Sequence, residues 1–337
     1  MIGVGSGMVL AAAAVLALAV ILAVSVGAVA VPVPTVWGVV LDRLWPGLVS
    51  ADWSAGQANI VWEIRFPRVI LAGLVGAGLG LVGAALQAVT RNPLADPHLL
   101  GISSGAAFGA IAALLHTGLF LGLMTVPLMA FGGALLATML VLGVARMAWA
   151  TTADRLVLAG VAVSFVIMAC ANILIFLGDP RATHTVVFWM LGGLGLAQWN
   201  HLIWPIAVLV PCGIWLWAQA GRLNAMSLGD ETAASLGIEV GRFRLTVFVA
   251  AALITGAMVA FSVLIGFVGL MMPHLVRLVI GGDNARVLPA SAFAGAVFLI
   301  FADAGARVVM APEDMPIGIV TCLTGGVFFI WMMARRR

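Results

Sequence analysis

The chain has 337 residues, 64% of them hydrophobic and 9% charged, with a mean hydropathy of +1.20 and a formal net charge of +3. Such proportions exclude a water-soluble globule and require an integral membrane protein. They also exclude a nucleic-acid-binding protein, because the surplus positive charge is not gathered into a basic soluble domain.

Crossing a hydrocarbon core of about 30 Å takes roughly 20 apolar residues in a helix. Ten apolar runs approach that need, near residues 8–31, 66–89, 99–121, 124–148, 155–177, 189–218, 245–265, 266–280, 289–306 and 316–334. The first ends in Ala28-Val29-Ala30, a small-x-small sequence of the kind cleaved after signal peptides. Residues 1–7 carry no Lys or Arg, however, and the run is long for a signal peptide, so it reads as a retained helix. No segment shows sustained period-two alternation, which excludes an outer-membrane barrel. The runs 245–265 and 266–280 meet with almost no loop, which predicts short, broken or tilted helices there. The expected fold is an all-α polytopic membrane protein of ten transmembrane helices in a single domain, 1–337.

All sixteen basic side chains are arginine. With the amino terminus in the cytoplasm, Arg91, Arg146, Arg155, Arg222, Arg242, Arg244, Arg277, Arg286 and Arg335 to Arg337 fall on the inner side. Arg43, Arg65, Arg68, Arg181 and Arg307 fall outside. This bias obeys the positive-inside rule and predicts that both termini are cytoplasmic. It also predicts a periplasmic segment 32–64, loop-like over 42–62 and holding Trp37, Trp45, Trp53 and Trp62, and a cytoplasmic segment 221–244. The lack of lysine excludes a P-loop, whose lysine reaches the terminal phosphates of ATP. The cluster Gly73, Gly76, Gly78, Gly80 and Gly83 is therefore no nucleotide loop. Ala72, Gly76, Gly80 and Ala84 repeat every four residues and predict a small-residue face for close helix packing.

Several polar residues fall inside apolar runs, where they mark a pathway or structural pairing: Gln87, Ser164, Asn172, Asp303 and Thr321. Asp303 and Arg307 are four apart, the spacing of an ion pair on one helix face. Met271-Met272-Pro273-His274, with His184 second, invites a haem or metal reading, but a helix-breaking role for Pro273 is the reading preferred. Cys170, Cys212 and Cys322 are isolated, without metal-ligand spacing, so no metal site is expected. No Ser-His-Asp or paired-carboxylate constellation can be placed on one face, so no catalytic residues are expected either.

Five segments carry a joint signature: Arg65-Phe66-Pro67-Arg68; Arg91-Asn92-Pro93-Leu94-Ala95-Asp96-Pro97-His98-Leu99-Leu100-Gly101; Leu228-Gly229-Asp230-Glu231-Thr232-Ala233-Ala234-Ser235-Leu236-Gly237; Gly269-Leu270-Met271-Met272-Pro273-His274; and Glu313-Asp314-Met315-Pro316-Ile317-Gly318. Together they resemble the permease subunits of type II ATP-binding cassette importers, the family that moves ferric siderophores, haem and cobalamin. The resemblance covers nearly the whole chain and departs from it in 42–62.

The resemblance implies the type II importer fold in a bacterial inner membrane, assembled as a homodimer in lipid with two ATP-binding cassette ATPase subunits and a periplasmic substrate-binding protein. It implies that Gly229, Asp230, Glu231, Ala233, Ser235, Leu236 and Gly237 form a coupling helix that docks on the ATPase. It places binding-protein docking on Arg65, Arg68 and Arg307, the inner gate at Asn92, Leu94, Thr151 and Thr152, and Ser164 and Asn172 on the route. No cofactor is expected on this chain, ATP and Mg belonging to the ATPase partner. The cargo expected is an iron chelate, either a ferric siderophore or haem, with cobalamin as the alternative. A secondary transporter is the rival from another class, but it would normally carry ionisable residues at mid-membrane, and this chain has almost none.

Overall fold

A computed structural model describes residues 6–27, 29–50, 52–97, 101–147, 153–195, 197–262 and 264–335. Among them, every regular element is helical: α1 (Ser6–Ser25), α2 (Val33–Leu44), α3 (Ala55–Asn59), α4 (Phe66–Thr90), α5 (Ile102–Ala112), α6 (Thr125–Met147), α7 (Ala153–Leu177), α8 (Pro180–Met190), α9 (Ile203–Ala218), α10 (Ala220–Leu228), α11 (Asp230–Ser235), α12 (Val240–Ser262), α13 (Val268–Ile280), α14 (Asn284–Val309) and α15 (Ile317–Arg335). A π-helical turn, Ile60–Arg65, joins α3 to α4 without a break. Seven helices among the described residues, those built on α4, α6, α7, α9, α12, α14 and α15, are long and apolar enough to cross a membrane. Leu10–Ser25, Ile102–Thr117 and Val268–Ile280 are apolar but shorter.

The helices depart from expectation at residues 189–218 and 42–62. The run 189–218 is not one helix. The chain leaves α8 at Met190, turns through Gly192 with φ +85°, and re-enters a helix only at Ile203. This irregular backbone is paired with neighbouring chain instead of lipid: Gly193 N donates to the carbonyl of Ser262 (3.2 Å), and Ile317 N donates to that of Gly192 (3.1 Å). The segment 42–62 is not simply loop-like either, since α2 reaches Leu44 and α3 starts at Ala55. Ser54 and Gln57 nucleate α3 as a capping box, in which Gln57 N donates to Ser54 Oγ (3.2 Å) and Ser54 N donates to Gln57 Oε1 (2.9 Å). At the junction of 245–265 with 266–280 the expectation of broken helices holds. Helix α12 ends at Ser262, residues 264–266 are irregular, and the short α13 starts at Val268 behind Phe267 at φ +68°.

Helix α4 is the hub, buried along nearly its whole length and packed by α12, α13 and α14. Its small-residue stripe explains how. A Cβ on Gly76 would lie 2.1 Å from the carbonyl oxygen of Gly295, and one on Gly80 would lie 2.2 Å from that of Ser291, so α4 and α14 touch backbone to backbone. Gly83 meets α13 in the same way, 1.9 Å from the carbonyl oxygen of Gly269. Helices α5 and α6 use the same device at Gly105, Gly109 and Gly133. Ala72, Leu79 and Ala84 fill the spaces between with almost no exposed surface.

Pro273 does not end its helix, contrary to the helix-breaking role expected of it, because α13 continues to Ile280. A proline inside a helix removes the N–H that would serve the carbonyl four residues back, here Gly269. That oxygen is offered Gln87 Nε2 from α4 at 3.4 Å, and the same amide reaches the Leu270 oxygen at 3.3 Å. Arg277 then donates to Gln87 Oε1, which fixes the amide's orientation. Gln87 is thus a structural repair of a proline helix, and the close approach at Gly83 is what brings it within reach.

Inserting even one methyl into a close-packed crossing forces the backbones apart and costs about 1–3 kcal/mol. Gly83→Ala is therefore expected to lower the thermal unfolding temperature of the purified protein by several degrees, whereas Gly132→Ala, with nothing within 4 Å of the new Cβ, leaves it unchanged. Equal behaviour of the two variants in a detergent melting experiment would contradict the packing account.

Candidate functional site

The segment 220–244 folds as α10, α11 and the start of α12. The chain enters α11 through Gly229 at φ +133°, a conformation that side chains rarely adopt, and leaves it through Gly237 at φ +78°. At the exit Ile238 N donates to Ala233 O (3.1 Å) and Gly237 N to Ala234 O (2.9 Å), a Schellman pair that satisfies the last carbonyls. A short helix is expected here and forms, six residues long, with Asp230 and Glu231 in its first turn. Ala233 is buried beneath it; Glu231, Ser235 and Leu236 face outward, Leu236 being 66% exposed.

Asp230 differs from its neighbour Glu231. Its carboxylate accepts from Arg244 Nη2 at 2.7 and 2.9 Å, and Arg91 Nη2 lies 3.8 Å from it. Arg244 in turn lies buried against α4, with Nε 3.4 Å from the Val89 carbonyl oxygen. Arg91, at φ +53°, ends α4 and opens the 91–97 turn. There Asn92 Oδ1 accepts from Leu94 N (2.9 Å), an Asx turn that leaves Leu94 on the surface. Asn92 and Leu94 therefore sit at the same end of the bundle as α11. Thr151 and Thr152 lie outside the described residues.

Arg65, Arg68 and Arg307 are also brought together, but not as a free positive surface. All three are buried. Arg68 Nε donates to Asp303 Oδ1 (2.9 Å), and its Nη1 donates to Asp314. Arg307 lies 3.1 Å from Asp303 Oδ2, as their four-residue spacing predicts, and its other nitrogens donate to the carbonyls of Val26 (2.7 Å) and Ala23 (2.9 Å). Arg65 donates to the carbonyls of Val24 (3.2 Å) and Val29. Two arginines thus cap the end of α1, where helix carbonyls carry partial negative charge and lack intrahelical donors. Expected on the outer side, these arginines direct their donors to internal acceptors. The Arg68 to Asp303 pair joins residues 235 positions apart, and Asp314 completes it, so no local spacing could have exposed it. The role of Arg244 was hidden for the same reason.

Between these ends lies an open cavity of about 890 Å³. Ser103 and Ser104 at the start of α5, Ser164 and Met168 on α7, Leu264 in the α12–α13 break and Cys322 on α15 contribute to its wall. Ser164 therefore lines a cavity, with its hydroxyl donating back to Gly160 O (2.7 Å). Asn172 is two turns further along α7 on the exposed surface, outside that lining. His274 packs its ring edge-on against Phe328 (6.1 Å), and among the described residues no three His, Cys, Asp or Glu side chains gather into a possible metal cluster.

Removing one member of a buried ion cluster leaves the others uncompensated and costs about 3–5 kcal/mol, whereas a partly exposed partner is worth about 1 kcal/mol or less. Asp303 is fully buried and Asp314 is 43% exposed. Asp303→Asn should lower the melting temperature far more than Asp314→Asn; equal losses in the two variants would contradict this ranking.

Comparison with known proteins agrees with this geometry. Residues 15–335 match the model of the FecCD transport family. The hemin transport system permease protein HmuU of Yersinia pestis is 39% identical over 292 residues, covering 85% of this chain and 87% of that protein. The vitamin B12 import system permease protein BtuC of Vibrio cholerae is 38% identical over 298 residues, covering 88% and 89%. Among solved structures, one described as an inward-facing metal-chelate type ABC transporter superposes with a TM-score of 0.80 at 26% identity, over 98% of this chain and 99% of that one. The multi-pass helical bundle and the near full-length match lead to one conclusion: the chain belongs to the FecCD transport family and is a permease of ATP-binding cassette importer type.

Proposed function

We propose that this permease works as a homodimer in a bacterial inner membrane, crossing it ten times per subunit with both termini in the cytoplasm, and imports an iron chelate, either a ferric siderophore or haem. Three short apolar helices beside the seven long ones support ten crossings, and the arginine bias supports the orientation. Two ATP-binding cassette subunits, which carry ATP and Mg, sit beneath the pair. A periplasmic substrate-binding protein docks at the end organised by Arg65, Arg68 and Arg307, and partly exposed Asp314 is the acceptor that an incoming carboxylate replaces. Alternating access then moves the cargo along a route shared by two copies, past Ser164 and Asn172, to an inner gate at Asn92, Leu94, Thr151 and Thr152.

The observation that carries this reading is α11 itself. It is a short helix anchored inward by Asp230 and Ala233 and presenting Glu231, Ser235 and Leu236 outward, on a chain that lacks the lysine a P-loop requires. A solvent-facing handle of this kind has no use in a secondary transporter. The apolar cavity fits passage of a large solute without tight holding, which leaves selectivity to the binding protein. Cobalamin is the second reading, favoured by the vitamin B12 permeases, whose identity to this chain matches that of the hemin permease to within one per cent.

Glu231 is exposed and makes no side-chain hydrogen bond or ion pair among the described residues, so reversing its charge tests docking and not folding. Glu231→Arg is expected to abolish co-purification with the ATPase while the permease remains folded. Retained association together with unchanged uptake would refute the coupling role of α11.

A further inference from the structure

The two contacts that Asp230 makes differ in strength, and the difference gives this residue a mechanical character. Its carboxylate is held by Arg244, whose side chain is 1% exposed and which donates at 2.7 and 2.9 Å. Separating a charge-assisted pair with a buried partner is strongly unfavourable, so α11 and the start of α12 move as one piece. The contact to Arg91 is of another kind: 3.8 Å long, with the guanidinium side chain 50% exposed. Pairs of that type are weak, and water replaces them readily. Arg91 is also the residue at which α4 ends and the 91–97 turn begins, held in the left-handed region at φ +53°. Gly229, the hinge into α11, lies against it: a Cβ there would be 3.8 Å from Arg91 Nη1.

We propose that Asp230 is the joint between α11 and the 91–97 turn, with Arg244 as its fixed arm and Arg91 as its releasable arm. Movement of α11 carries Asp230 toward or away from Arg91, and making or breaking that pair shifts the turn bearing Asn92 and Leu94. Arg91 and Arg244 are thus positioning residues that act through Asp230. The inference rests on the importer reading for its consequence in transport, but the physical linkage stands on the contacts alone.

Two measurements test it. In the complex reconstituted with its ATPase and binding protein, Arg91→Gln is expected to retain assembly and ATP hydrolysis but to lower cargo moved per ATP at least fivefold, with Arg91→Lys recovering most of the loss. Unchanged transport per ATP in Arg91→Gln, or equal loss in the Gln and Lys variants, would overturn the proposal. The second measurement needs no partner. Spin labels at Leu94→Cys and Ser235→Cys, in a background with Cys170, Cys212 and Cys322 replaced by Ser, are expected to give a narrow distance distribution that broadens on Arg91→Gln. An identical distribution in the two proteins would overturn the joint even if transport were altered. Should the parent complex show no ATP-dependent uptake, the importer reading fails, and the label distances alone decide the linkage.

Discussion

The close approach of α4 to α13 and α14 is the constraint on which the rest depends. Carbonyl oxygens of Gly269, Ser291 and Gly295 occupy the places where side chains of Gly83, Gly80 and Gly76 would stand. In lipid there is no hydrophobic force between helices, so association relies on close packing and internal hydrogen bonds, and an absent Cβ is what permits both. Gln87 reaches the carbonyl freed by Pro273 because α4 lies this near to α13. Arg68 reaches Asp303 across the neighbouring contact between α4 and α14.

From this hub the two ends of the molecule acquire different characters. At one end, buried arginines hold α1, α4 and α14 together through carboxylates and helix-end carbonyls, giving a surface that is stiff without being strongly charged. At the other, α11 is held by the Asp230 pair with Arg244 and by buried Ala233, while its outer face remains open. One end of the bundle is thus fixed in shape, and the other ends in a handle. Irregular backbone at Leu264 and Gly266 borders the cavity between them, and that at Gly192 and Gly193 is paired with neighbouring chain, as a polar backbone at membrane depth must be.

Much of this was legible in the sequence because it depends on local pattern. Apolar runs located the helices; the four-residue repeat of Ala72, Gly76, Gly80 and Ala84 located the packing face; Asp303 and Arg307 declared their pair; Asp230 and Gly237 bounded α11. Features that depend on distant partners were not legible. Nothing near Arg68 announces Asp303 or Asp314, and nothing near Asp230 singles out Arg244, so arginines read as outward-facing turned out to be internal ties. The run 189–218 read as continuous because hydropathy does not register the turn at Gly192, and Pro273 read as a break because its compensation comes from Gln87 on another helix.

In the proposed importer this chain moves a chelate only when driven by a partner ATPase and supplied by a binding protein. The most direct measurement is uptake into proteoliposomes holding the assembled complex, with labelled haem, a ferric siderophore and cobalamin offered in parallel. Accumulation of an iron chelate that requires both ATP and the binding protein is the expected result. Accumulation without ATP, or no accumulation of any of the three by a complex that hydrolyses ATP, would contradict it.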